Sequence, residues 1–289
     1  MCIAFSGIFY RFADVPAQSA ALFRCLYGLP ILILLAAVEQ RRRGGLPRRT
    51  ILVSAAAGVF FAADLGFWHH SIEFVGAGLA TVTANLQVIV VGIVAWLLFG
   101  ERPSRSTLLA VPIVLVGVVL ISGVIGADAY GSNPVVGATL GILTAVAYGG
   151  YLLAIRRGGL DGGRAAGPLA ISTFSTAVVS FVTGAFLGEL ELGPSWPAHG
   201  WLIVYGLTSQ SLGYLLISIS LPRLPAVLTS IILLSQPVAT VILSMILLGE
   251  TPSAVQLIGV ALVVGGIALA TSPVGRLIGS VRREEAYPG

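Results

Sequence analysis

The chain runs to 289 residues, of which 56% are hydrophobic and only 10% are Asp, Glu, Lys or Arg. A soluble protein carries about 25% charged residues, so 28 charges, 16 basic and 12 acidic, are too few to coat a globular surface. That excludes a soluble domain, a disordered chain and, despite a net charge of +4, a nucleic-acid binder. Cys2 and Cys25 give neither a disulfide framework nor zinc-ligand spacing. Both sit in apolar sequence and read as small core thiols.

A bilayer core of about 30 Å takes about 20 helical residues to cross. Apolar runs between Gly, Pro and charged punctuation predict spans at 17–38, 51–71, 77–99, 107–125, 135–155, 169–187, 201–221, 226–248 and 254–271. An apolar run at 1–12 precedes them. At about 1.5 Å per residue it reaches roughly 18 Å, short of a crossing. It lacks the basic leader and small-residue cleavage site of a signal peptide. The repeat described below makes it a first, shortened span, whose native start is expected upstream or trimmed.

Sidedness follows from arginine, because the chain has no lysine. With ten spans and a cytoplasmic N-terminus, fourteen arginines fall on the cytoplasmic side, from the cluster Arg41, Arg42 and Arg43 through Arg156 and Arg164 to Arg283. The opposite loops hold Asp14, Glu73, Asp128, Glu189, Glu191 and Glu250 and no arginine. This satisfies the positive-inside rule. Arg11 and Arg24 are left within spans.

Shifting the sequence by 149 positions lays Leu98-Phe99-Gly100-Glu101-Arg102-Pro103-Ser104 on Leu247-Leu248-Gly249-Glu250-Thr251-Pro252-Ser253. Ala77 meets Ala226, Leu79 meets Leu228, Gln87 meets Gln236, Gly117 meets Gly266 and Leu120 meets Leu269, without a gap. Chance agreement between apolar helices does not readily produce an ungapped Gly-Glu-x-Pro-Ser at one turn. Each unit holds five spans, an odd number, so the units enter the membrane from opposite faces. The expected fold is therefore an all-α membrane protein of ten transmembrane helices in two inverted five-helix repeats. Residues 1–125 form the first repeat, 126–273 the second, and 274–289 a basic cytoplasmic tail. Inverted repeats place a site between the halves near the midplane.

These residues resemble the EamA-type drug/metabolite transporter superfamily. The likeness rests on Leu98–Ser104 with Gly117, on Leu247–Ser253 with Gly259, Gly265 and Gly266, on the small-residue starts Ala77–Leu79 and Ala226–Leu228, and on Arg24. It implies a ten-helix permease and, with it, export rather than import. The sequence departs from the family pattern at its short first span and at Val88, where the second half has Pro237. The second departure predicts a fourth span straighter than the ninth.

Glu101 with Pro103 and Glu250 with Pro252 read first as capped turns, since proline suits a helix's first turn and a carboxylate suits its N-terminus. Asp64 is the sole acid deep in a span and a candidate for proton coupling or for holding a substrate ammonium. The alternative is a buried ion pair with Arg24. Trp68 shares the Asp64 face, as cavity wall or lipid contact. His69 and His70 read as interfacial, and His70 with Glu73 is too little for a metal site. Thr81 and Asn85 are four apart, as are Gln210 and Tyr214. Gln87 and Gln236 occupy equivalent depths and suit either substrate amides or helix–helix bonding. Tyr148, three residues before Tyr151, lies well inside its span.

The expected function is a secondary transporter in the cell (inner) membrane, bacterial by its Arg-, Ala- and Gly-rich composition. It would move a small metabolite, an amino acid or similar amphipathic compound, by alternating access, with proton coupling open. No phosphate-binding Gly-rich loop is present, and no cofactor or metal is expected. An intramembrane enzyme would need a nucleophile paired with a base, and no Gly-x-Ser-x-Gly occurs. A non-transporting receptor or scaffold is the other alternative.

Overall fold

The computed structural model describes residues 2–121, 133–160, 163–248 and 253–271. Among them every regular element is helical. In chain order these are α1 Ser6–Ala13, α2 Ala17–Arg43, α3 Arg48–Asn85, α4 Gln87–Phe99, α5 Arg105–Ile121, α6 Pro134–Leu160 and α7 Ala166–Leu187. Then follow α8 Trp196–Tyr205, a π-helical segment Gly206–Gly213, α9 Tyr214–Ser220, α10 Ala226–Leu233, α11 Ser235–Leu248 and α12 Ala254–Thr271.

Among the described residues, seven helical stretches are long and apolar enough to cross a bilayer: Ala17–Arg43, Arg48–Val75, Val82–Phe99, Val135–Gly159, Ala166–Leu187, Trp196–Arg223 and Ala254–Thr271. Arg105–Ile121 and Ala226–Ala239 are apolar but shorter. The surface is built for lipid. Leu97, Leu98, Phe186 and Ile246 are exposed, while Ser19, Ser180, Thr173, Thr176 and Ser230 are buried. Small and hydroxylated residues inside, large apolar ones outside, is how helices associate where the solvent is itself apolar.

Two sequence expectations are corrected. The break expected at 72–76 is absent: α3 stays helical through it to Asn85, since the segment holds no proline and Gly76 alone does not end the helix. The fourth span is no straighter than the ninth, because both break at mid-length, at Leu86 and at Leu234. At each break the backbone N–H bonds three residues back, Leu86 to the Thr83 carbonyl (3.1 Å) and Leu234 to that of Ile231 (3.0 Å). A hydroxyl competes for a carbonyl just upstream in both cases. Thr83 donates to Ala80 O (3.0 Å) and Ser230 to Val227 O (2.8 Å), the local bonding that bends helices. Proline is therefore not needed, and Val88 does not prevent the break.

The helices pair in a pattern that the 149-residue shift maps onto itself. α3 packs on α6 as α8 packs on α1, and α3 packs on α7 as α8 and the π segment pack on α2. α5 lies against α12, where a Cβ on Gly117 would stand 2.8 Å from the Gly259 carbonyl oxygen. The shifted pair, Ala110 and Gly266, also meets there. α5 and α12 start on equivalent caps: Ser104 Oγ accepts the Thr107 N–H (3.1 Å) and Ser253 Oγ that of Gln256 (3.3 Å). Pro103 thus precedes the cap rather than opening the helix.

Candidate functional site

The polar centre is assembled around Arg24, in the N-terminal third of α2 and 3% exposed. Its Nε (3.1 Å) and Nη2 (2.8 Å) donate to Gln210 Oε1, and Nη1 donates to the Tyr205 hydroxyl (2.7 Å). Gln210 in turn donates to Thr173 Oγ1 (2.9 Å). The guanidinium also lies over three rings: Tyr205 at 4.5 Å, Phe61 at 5.3 Å and Tyr214 at 5.6 Å. Desolvated cation–π contacts of this kind contribute about 2 kcal/mol.

The π segment makes this geometry. Tyr205 and Gln210 are five residues apart, a spacing that shares a face only when a helix is widened beyond α geometry. Glycines bracket the segment, and Gly206 lets it settle onto α2, where a Cβ would stand 2.8 Å from the Arg24 carbonyl oxygen. Ser211 fastens the same approach by donating to Gly28 O (2.9 Å).

Asp64, one turn after Phe61 on α3, is 9% exposed and feels Arg24 as its counter-charge. No ion pair joins the two within 4.0 Å among the described residues. Beside them stands an aromatic wall: Phe61 stacks on Tyr151 (4.6 Å) and meets Tyr214 edge-on (4.9 Å), and Tyr148 stacks on Tyr151 (6.0 Å). Tyr148 also lies within electrostatic reach of Tyr214 and Gln236. The Tyr151 hydroxyl is buried without a partner among the described residues.

Of the expected site residues, Arg24, Asp64, Tyr148, Gln210, Tyr214 and Gln236 therefore converge. Gln87 instead bonds across to α10, donating to Ser230 O (3.4 Å), with its own carbonyl oxygen left unpaired among the described residues. Trp68 is half-buried and packs edge-on against His69 (5.0 Å). Asn85 is half-buried and interacts with a neighbouring group. The Thr81 side chain, Glu250, Pro252 and the tail lie outside the described residues.

Phe61, Thr173 and Tyr205 were not anticipated from sequence. Two of them carried a signal: the 149-residue shift sets Thr173 on Arg24 and Gln210 on Phe61. Tyr205 carried none, because α-helical periodicity does not pair it with Gln210.

The two ends of the bundle differ. At the end remote from the arginine clusters, Tyr10, Pro16, Ala17, His69, Ile72, Glu73 and Glu189 line a cleft of about 270 Å³. His69 donates from Nδ1 to Leu65 O (2.6 Å), which fixes its tautomer. His70 pairs with Glu189 at 3.3 Å. No group of three metal-ligating side chains forms among the described residues.

At the arginine-rich end, helix termini are clamped. Glu39 accepts the N–H groups of Ala165, Ala166 and Gly167 (2.9–3.1 Å) at the start of α7. Arg164 donates to the carbonyls of Arg43, Gly44 and Gly45 at the end of α2. Glu101 does not serve its own turn: it accepts the Ala226 N–H (2.9 Å) at the start of α10 and pairs with Arg156 of α6.

Comparisons agree with this architecture. The sequence profile of the EamA-like transporter family matches residues 1–123 and again 135–272. An uncharacterized protein of Pseudomonas aeruginosa is 32% identical over 260 residues, 88% of this chain and 84% of its own length. An uncharacterized transporter of Synechocystis is 26% identical over 270 residues, 86% of this chain and 77% of that one. One solved crystal structure superposes with a TM-score of 0.79 at 20% identity, over 96% of this chain and 94% of its own, a likeness of fold alone. Apolar helices, buried hydroxyls and both profile matches lead to one conclusion: this multi-pass membrane protein belongs to the EamA-like transporter family, within the drug/metabolite transporter superfamily.

Proposed function

We propose that the chain is a secondary transporter of the cytoplasmic membrane that exports a small zwitterionic metabolite, an amino acid or a compound like it. Its two inverted halves, 1–125 and 126–273, alternate around the Arg24 pocket, with both termini and the arginine-rich end in the cytoplasm. The observation that carries this reading is the pair of opposite charges, Arg24 and Asp64, both buried within the helix bundle without an ion pair to each other. Charges inside a bilayer are costly unless partnered. A zwitterion lying between them satisfies both: its carboxylate faces Arg24, its ammonium faces Asp64, and its side chain rests on Phe61, Tyr148 and Tyr151. The breaks at Leu86 and Leu234 support the placement, since transporters bind substrate beside helices interrupted at mid-membrane.

Asp64 also supplies a carboxylate that can take up a proton when substrate leaves, which couples export to the proton gradient. Reconstituted protein should exchange labelled against unlabelled amino acid in counterflow. Asp64→Asn should lose both that exchange and its pH dependence. Unchanged, pH-independent exchange in Asp64→Asn removes Asp64 from the mechanism, and substrate binding without any exchange leaves a receptor instead.

A further inference from the structure

The contacts of Glu101 and Arg156 do more than finish two helices. Arg156, near the C-terminal end of α6, is 6% exposed. Its guanidinium reaches three things at once. Nε donates to Leu221 O (3.0 Å) and Nη2 to Leu224 O (3.3 Å), both in the connection between α9 and α10. Nη2 also pairs with Glu101, just past α4, and the guanidinium carbon sits 5.2 Å from the centre of the Phe99 ring. Glu101 completes the ring by accepting the Ala226 N–H. One carboxylate and one guanidinium thus bind the end of α4, from the first half, to α6 and to the start of α10, from the second.

The geometry points to a latch: Glu101 and Arg156 are gating residues that hold the arginine-rich end closed and must part before the Arg24 pocket can open there. Directly beneath the ring, Ala95, Tyr151, Leu221 and Ala226 pack into one fully buried cluster. A latch across the halves differs from an ordinary cap, because a cap stays intact while its own helix moves. The latch is also one-sided. Counting 149 residues back from Arg156 arrives at Gly7, so the register that repeats Glu101 as Glu250 supplies no arginine to match. Among the described residues, a cleft opens at the far end. The resting carrier is closed toward the arginine-rich face.

This inference rests on the transport reading but is tested without substrate. In full-length protein with Cys2 and Cys25 replaced by alanine, Ala95→Cys is placed in inside-out vesicles and challenged with a membrane-impermeant maleimide. The thiol introduced by Ala95→Cys should label slowly, and about tenfold faster when combined with Glu101→Gln or with Arg156→Gln, the shift expected from losing one coupled pair. Arg156→Lys, which keeps the charge, should stay near the parent rate. A reference thiol from Leu202→Cys, buried toward the other end, should label at the same rate in every variant. Equal rates for Ala95→Cys in the parent and both Gln variants overturn the latch. So does acceleration of Ala95→Cys and Leu202→Cys together, which marks a residue pair that holds the fold rather than a gate. Absent counterflow with latch-dependent labelling would overturn the transport reading and leave the latch standing.

Discussion

The two ends of the bundle are held by different physics. At the arginine-rich end, buried or half-buried carboxylates and guanidiniums grip backbone groups of the neighbouring helix: Glu39 on α7, Arg164 on α2, and Glu101 with Arg156 across α4, α6 and α10. At the far end the ties are lighter. Ser19 bonds to the carbonyl of Glu189 and the N–H of Glu191 (3.1 and 2.7 Å), and His70 meets Glu189 where both are about 30% exposed. A helix terminus leaves several backbone groups unpaired, so a charged side chain there both satisfies them and interacts with the helix dipole. Among the described residues, the comparison teaches that the arginine-rich end is fastened through helix termini, whereas the far end presents a cleft.

The buried polar centre around Arg24 sets the largest expected effect. Arg24→Gln removes the group around which Gln210, Tyr205 and Asp64 are arranged and leaves Asp64 buried without its counter-charge. With Gln210 and Tyr205 losing their donor, it should destabilise the protein by about 1–3 kcal/mol for each group left unpaired and abolish counterflow, as read by thermal unfolding in detergent and by reconstituted exchange. Wild-type stability in that variant breaks the view that the centre is organised by charge. Next comes the arginine-rich end. Glu39→Ala strips three N–H groups of one carboxylate and should cost about 2–3 kcal/mol, measured by denaturation of the purified protein. A loss no larger than that of a far-end variant erases the contrast between the ends. Ser19→Ala at the far end should cost about 1 kcal/mol, visible as a small drop in midpoint. Smallest is His70→Ala, whose partly exposed pair should contribute less than about 0.5 kcal/mol and less still at high salt. A loss beyond about 1 kcal/mol, the upper end for exposed pairs, would show that the far end is fastened after all.

Much of this was legible in the sequence, for identifiable reasons. Lipid demands long apolar runs, so seven spans among the described residues could be marked by composition, while Arg105–Ile121 and Ala226–Ala239 are apolar but shorter. The shift of 149 brought Ser104 onto Ser253, and the two cap α5 and α12 in the same way. It also brought Gln87 onto Gln236, yet Gln236 lies near Tyr148, while Gln87 ties α4 to α10. Asp64, Arg24, Gln210 and Tyr214 stood out because polar groups in a span are costly and need a reason. What stayed hidden depended on departures from helical regularity or on distance along the chain. The π segment re-aims Tyr205. The break at Leu86 comes from hydroxyl competition at Thr83 rather than from proline. Glu101 was read as a local cap because its partners, Arg156 and Ala226, lie 55 and 125 residues on, and no local spacing reports them.

Ser104 and Ser253 are exposed, each begins its helix, and the repeat register makes them equivalent. Single cysteines at these two positions, in a background without Cys2 and Cys25, can be treated in intact cells with an impermeant thiol reagent. Halves threaded in opposite senses require that Ser253→Cys reacts from outside and Ser104→Cys only after the membrane is opened. Reaction of both from the same side would contradict the inverted arrangement, and the shared pocket between the halves with it.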